Sequence, residues 1–219
     1  MSDLFRVSVG EENAVAAHRS HIYSKLANAF RYPSDERSIE HIASGTSERE
    51  IVALLEQLDW SFPSSVTDHS EPTERVDVLY CSLFETALGR SAISLHERDH
   101  VQSGREALWE DLFRCFTHFG LELGDGGLRA PPDLLTIQLE FMHYLAFVEA
   151  SNTPGSRGVI LGEADFVERH LAAWVPNVCD ALQRRAPSSI YARLAILLRD
   201  FIAEDFRYLE SKAKQLRKQ

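Results

Sequence analysis

The stretch "PPDLLTIQLEFMHYLAFVEA", from Pro131 to Ala150, constrains this chain more than any other. Two prolines suit the opening of a helix and no later position in one. The residues after them are apolar around most of a helical circumference, and such a rod is stable in water only when other elements surround it. No apolar run approaches the ~20 residues needed to cross a membrane. The rod therefore has to be the centre of a globular domain, and the remaining segments have to cover it.

Those segments read as amphipathic helices. Val15, Ile22, Leu26 and Phe30 recur on one face of 12–32, and Pro33 ends the run. A short segment follows near Asp35–Ala43. Ser47 with Glu50 forms a capping-box pattern ahead of a stripe of Ile51, Leu54, Leu55 and Leu58. After a loop, Thr73 is placed to cap a helix with Val76, Leu79, Tyr80 and Leu83 on one face. Gly104 precedes a helix with Leu108, Leu112, Cys115, Phe116 and Phe119 inward, which Gly120 stops. "GDGG" at 124–127 reads as a turn. "EADFVERHLAAWVPNVCDALQRRA" is helical but should be divided or kinked at Pro176. Ser188 or Ser189 caps a last helix with Ile190, Leu194, Leu197 and Phe201 inward. Residues 1–11 and 211–219 are expected to fray. No alternating strand pattern of useful length appears. The expectation is an all-α single domain spanning 1–219, of about nine or ten helices.

Periodicity is lost from Glu85 to Ser103, and a loop of that length inside a helical domain is uncommon and often functional. It carries His96-Glu97-Arg98-Asp99-His100, which matches the H-E-x-x-H of zinc peptidases. That motif works on a regular helix, where the i, i+4 spacing brings both imidazoles to one face. Here the flanks "SAISL" and "VQSG" are poor in apolar residues, and solvated polar loop residues explain the match better. Neither a nucleophile elbow nor a phosphate loop is present. Glu140 and His143 lie three apart and can pair locally.

Acidic residues outnumber basic ones by 33 to 23, a formal charge of −10, so a nucleic acid would be repelled and a basic partner attracted. Many acidic proteins owe such a charge to solubility alone. Cys81, Cys115 and Cys179 are far apart and among apolar neighbours. They suggest neither a disulfide framework nor a thiolate zinc site, and a reducing cytoplasm is the expected home. The N-terminal residues lack the pattern of a secretory signal.

Taken in order, "VDVLYCSLFETALGRSAISLHERDH", a helix ending "FTHFGLEL", "PPDLLTIQLEFMHYLAF", "FVERHLAAWVPNVCDAL" and "SSIYARLAILLRDFI" resemble the TorD/DmsD/NarJ family of molybdoenzyme chaperones over residues 12–210. Within it the chain looks closest to the chaperones of dimethylsulfide dehydrogenase, selenate or chlorate reductase and ethylbenzene dehydrogenase. The resemblance implies a cytoplasmic all-helical chaperone without catalytic turnover or cofactor, a monomer or homodimer. Its partner would be a molybdenum-containing catalytic subunit, bound through its twin-arginine leader, its body, or both, and held from export until cofactor insertion is complete. Tyr80, Leu83 and Phe84 match the family's Tyr-x-x-Leu-Phe, Glu97 its loop acid, and Pro132 and Asp133 its Pro-x-Asp-His. Leu134 stands where that histidine usually falls, which puts the polar part of the leader site, and any guanine-nucleotide binding, in doubt.

The chemistry of such a leader, basic and then apolar, asks for an apolar groove with carboxylates at one end. Leu83, Phe84, Leu88, Ile93, Leu95 and Trp109 are candidates for the groove. Glu85, Glu97, Asp99 and Asp133 are candidates for the charge. Each has a plainer reading as well: Leu83 and Phe84 as core, Trp109 as an edge-of-core residue, Asp133 as a favourable charge at a helix N-terminus. The rivals to a leader-binding chaperone are a zinc hydrolase using His96, Glu97 and His100, and a helical scaffold module.

Overall fold

The computed structural model describes residues 11–58, 60, 75–85, 92–121, 130–151 and 156–218. Helix α1 (Glu11–Ala29) runs to just before Pro33. Asp35 caps α2 (Glu36–Ala43) by accepting from the Ser38 amide at 2.9 Å. Helix α3 (Thr46–Glu56) follows one left-handed residue, Gly45 at φ +69°, where a side chain would be strained. The capping box expected at Ser47 is therefore not used: Ser47 lies inside the first turn and is buried, because the glycine turn lets α3 begin sooner.

Helix α4 (Val76–Phe84) is followed by a 3₁₀ turn (Glu97–Asp99) and by α5 (Arg105–His118). Gly120, at φ +78°, ends α5: its own amide bonds Thr117 O and the Leu121 amide bonds Phe116 O, both at 3.0 Å. Then come α6 (Leu135–Ala150) and α7 (Ser156–Phe166), which a π turn (Val167–Leu171) joins to α8 (Ala172–Arg185) without a break. Ser189 caps α9 (Ile190–Leu216) by accepting from the Ala192 amide. Among the described residues the β pairing is confined to one isolated bridge, His96 with Leu134. The fold is all-α, nine α-helical segments in the described residues, with α7 and α8 forming one rod. No described helix is long and apolar enough to cross a membrane.

Helix α6 takes the central place its composition demands, packing along α1 on one side and α7 on another, while α9 braces α8, α7 and α3. Trp174, Tyr23, Tyr191, Phe30, Phe116, Phe166 and Phe201 are all fully buried.

Three local expectations are corrected. Pro176 neither divides nor ends its helix, for α8 continues through it. The missing donor and the ring are accommodated in an unbroken rod whose irregular turn lies upstream, at Val167–Leu171. Helix α9 holds through Leu216, well past residue 211, because Ala213 is buried and Glu210 pairs with Lys214 one turn on. Glu140 and His143 do not meet each other: Glu140 pairs with Arg31, and His143 hydrogen-bonds Ser20 at 2.8 Å. The cap at Thr73 and the "GDGG" turn lie outside the described residues.

A polar hub sits within this apolar packing. Arg19 of α1 is fully buried and bonds three carboxylates: Glu149 of α6, Glu163 of α7 at 2.9 Å and Asp205 of α9. The Tyr23 hydroxyl also donates to Asp205, at 2.5 Å. One cation cannot neutralise three buried anions. Burial pushes the Glu163 carboxyl well above its usual range, the nearby carboxylates Glu149 and Asp205 adding to the effect against Arg19. These surroundings favour the protonated form of Glu163, at a hub where four helices converge.

Candidate functional site

The aperiodic segment is stitched to the start of α6. The Ile93 amide bonds Leu83 O (2.8 Å), the Leu135 amide bonds Leu95 O (2.8 Å) and the Glu97 amide bonds Asp133 O (2.9 Å). These bonds consume backbone groups that a loop would otherwise show to water. They also bring Leu95, Glu97, Pro132 and Asp133 together, all buried.

Glu97 points inward and is 1% exposed. Its carboxylate accepts from Gln138 Nε2 of α6 at 2.5 Å and faces His170 Nδ1 of the π turn at 3.0 Å. Gln138 is oriented in turn by Trp174, whose indole N–H donates to Gln138 Oε1 at 3.1 Å. The His100 ring stacks on Trp174 with centroids 5.3 Å apart. Beyond the imidazole, His170 Nε2 has Asp111 Oδ2 at 3.4 Å and the Cys115 thiol as neighbours, neither in full hydrogen-bond geometry. Burial alone would lower the His170 pKa. Cys115 and Glu97 outweigh it and push the imidazole up to about 9, so it is a cation at neutral pH and the contact with Glu97 is an ion pair.

Asp133 is equally occupied. Arg98 Nη1 lies 3.2 and 3.1 Å from its two oxygens, Trp109 Nε1 donates at 3.0 Å, and His96 Nδ1 stands 3.5 Å away. Burial would raise this carboxyl, but His96, Arg98 and Trp109 together hold it below the usual range. Asp133 precedes the N-cap residue Leu134 and spends its oxygens on the loop rather than on the amides of α6.

The H-E-x-x-H segment is thus a 3₁₀ turn and not a regular helix. Its groups diverge: His96 goes to Asp133, Glu97 to His170, and His100 Nε2 to the Ser94 carbonyl at 2.9 Å. Among the described residues no group of three or more His, Cys, Asp and Glu side chains could hold a metal ion. The zinc-hydrolase alternative lacks its helical scaffold.

Of the other expected site residues, Trp109 is half-buried, with the Arg105 guanidinium 4.3 Å over its ring. It lines a hollow of about 680 Å³ with Gly104, Arg105, Glu106 and Ala107. Asp99 is exposed, accepts from the Ser94 hydroxyl and lies 4.0 Å from Arg98. Tyr80 and Phe84 belong to a separate aromatic cluster with Phe30 and Tyr191, and Tyr80 donates to Phe30 O at 3.3 Å. Leu83 is buried and joins the two regions through its bond to Ile93. Leu88 lies outside the described residues. His170, Gln138 and Trp174 were not among the expected site residues. A glutamine in the middle of an apolar helix, and a histidine and tryptophan four apart on the helix opposite, were the available signals.

Residues 42–180 match the nitrate reductase delta subunit family. The chain is 28% identical to the perchlorate reductase assembly chaperone protein of Dechloromonas aromatica (strain RCB), over 84% of this chain and 86% of that one. It is 29% identical to the selenate reductase assembly chaperone protein of Thauera selenatis, over 65% and 75% of the two chains. It is 23% identical to the chaperone protein TorD of Vibrio cholerae serotype O1 (strain ATCC 39541 / Classical Ogawa 395 / O395), over 96% and 89%. The chain belongs to the nitrate reductase delta subunit family, the TorD/NarJ class of redox-enzyme maturation chaperones. The relatives are named as assembly chaperones, a family without enzymatic activity.

Proposed function

We propose that this chain is the assembly chaperone of a molybdenum-containing oxidoreductase and binds the twin-arginine leader of its catalytic subunit in the cytoplasm. The single observation that carries this reading is the construction of the 92–104 segment. Its internal carboxylates, Glu97 and Asp133, are used to fix the segment, while Glu106 and the Trp109 ring, with Arg105 over it, line a hollow and Asp99 is exposed to solvent. A backbone-bonded frame bordered by exposed carboxylates and an indole ring suits a ligand that is cationic and then apolar. Leu83 ties α4 to that frame through its bond to Ile93, Leu95 and Pro132 are buried within it, and Tyr80 and Phe84 pack in the aromatic cluster of α4. The similarity to assembly chaperones of perchlorate and selenate reductases supports a client of the same chemical kind.

The test is calorimetric titration of the full chain with a synthetic leader peptide carrying Arg-Arg ahead of its apolar stretch, beside the same peptide with Lys-Lys. The expected result is tighter binding of the Arg-Arg peptide, lowered about tenfold by Asp99→Lys or Trp109→Ala. Equal or absent binding of the two peptides, with retention of the apo catalytic subunit's body, would remove the leader from the account and leave the chaperone. Loss of both would remove the proposed client. Sedimentation of the same sample decides between monomer and homodimer.

A further inference from the structure

The hollow at the start of α5 already holds a guanidinium, and it belongs to the protein itself. Arg105 and Trp109 are one turn apart on α5, so their side chains share a face. The Arg105 guanidinium carbon stands 4.3 Å over the centre of the Trp109 ring. The ring is fixed at its edge. Its Nε1–H donates to Asp133 Oδ1 at 3.0 Å, and Arg98 Nη1 lies 3.2 and 3.1 Å from the two oxygens of that carboxylate. Phe113 packs edge-on against it with centroids 6.1 Å apart. The platform is therefore held in place, whereas its occupant is not. Arg105 is exposed, and among the described residues no carboxylate pairs with it. It is also the first residue of α5, where the helix dipole disfavours a cation. A planar guanidinium stacks on an aromatic face, which a compact ammonium does not.

We propose that Arg105 is an internal stand-in for an arginine of the leader: it covers the Trp109 face in the free protein and gives way when the leader's guanidinium takes its place. This rests on the leader-binding reading above and adds a gate to it. The exchange swaps one stack for another, so the incoming arginine gains nothing from the ring alone. The surplus comes from the rest of the leader, its second cation beside the exposed Glu106 and its apolar stretch. The competitor lowers the apparent affinity by the fraction of time the ring is free, and it favours release of a finished client.

The test is calorimetric titration of the full chain with the Arg-Arg leader peptide. Binding should tighten about three- to fivefold in Arg105→Lys, which keeps the charge and gives up the stack, and also in Arg105→Gln. The gain should vanish when Trp109→Ala is present as well, because no face is then left to compete for. Unchanged affinity in both Arg105 variants would overturn the proposal. So would a gain that persists beside Trp109→Ala, which would reduce Arg105 to general charge repulsion. Leader binding itself stands in either case. The exchange is also read without a leader, from the Trp109 indole N–H signal in NMR, assigned with Trp109→Phe. N-acetyl-Arg-Arg-amide should shift that signal at lower concentration in Arg105→Lys than in the wild type. If the full leader fails to bind while the signal responds in this way, the gate stands and the leader reading falls. If the two proteins respond alike, or neither responds, the gate falls.

Discussion

Glu97 and His170 are 73 positions apart in sequence, yet the carboxylate and imidazole meet at 3.0 Å in the interior, one on a 3₁₀ turn and the other on a π turn. Two irregular elements lock each other. The loop keeps its inward glutamate because a cation awaits it, and the imidazole keeps its proton because a carboxylate faces it.

This pair makes stability depend on alkaline pH. The folded His170 titrates near 9 and its unfolded value is about 6.5. A raised folded pKa contributes stability that is complete below pH 6.5 and is lost as pH rises through 9. The size is roughly 3 kcal/mol at most for such a shift. Urea unfolding of the wild type should weaken over this window, and Glu97→Gln should flatten that dependence while lowering stability at pH 6 by about 3 kcal/mol. Parallel curves for the two proteins would mean that the pair is not an ion pair.

At the buried hub, charge and neutrality separate. Arg19→Met leaves Asp205 and Glu149 without their cation and should cost about 3–5 kcal/mol. Glu163 is held toward its protonated form, so Glu163→Gln puts a neutral group of the same shape in its place and should cost under about 1 kcal/mol. Thermal unfolding of the two variants measures the contrast, and a Glu163→Gln loss as large as that of Arg19→Met would place a charge on Glu163.

Two glycines of α7 should respond oppositely to alanine. A Cβ on Gly162 would stand 2.2 Å from the Phe119 ring, which must shift, and Gly162→Ala should destabilise by about 1–3 kcal/mol. Gly158 has open space around it, and Gly158→Ala should stabilise by about 0.5–1 kcal/mol through helix propensity. Differential scanning calorimetry decides each sign.

The fold was largely legible in the sequence, because burial at a 3.6-residue period is a strong signal. The inward faces of α5, α6 and α9 follow directly from it, and Gly120 and Ser189 mark their boundaries by local chemistry. The buried polar residues were not legible in the same way. Arg19 lies on the Val15–Ile22–Leu26 stripe and Asp205 between Phe201 and Leu209, positions where a charge marks either a break in the pattern or a buried partner. Only the tertiary fold tells which. Glu97 could be singled out as a loop acid, but nothing local reveals that it turns away from water. Its partner sits on a π turn, which shifts the phase of the apolar face and so hides which residue turns inward. At Pro176 the local rule anticipates a division or a kink, and α8 runs on through it with Trp174, Val175 and Val178 packed in the core.

The Arg19 hub also sets an order of events during synthesis. Asp205, which grips its guanidinium in a fork, is made 186 positions after it. A nascent chain therefore carries an unmet cation in α1 until α6 brings Glu149, and the set is complete only once α9 has followed. This guardian of unfinished enzymes is itself among the last of its own contacts to be finished.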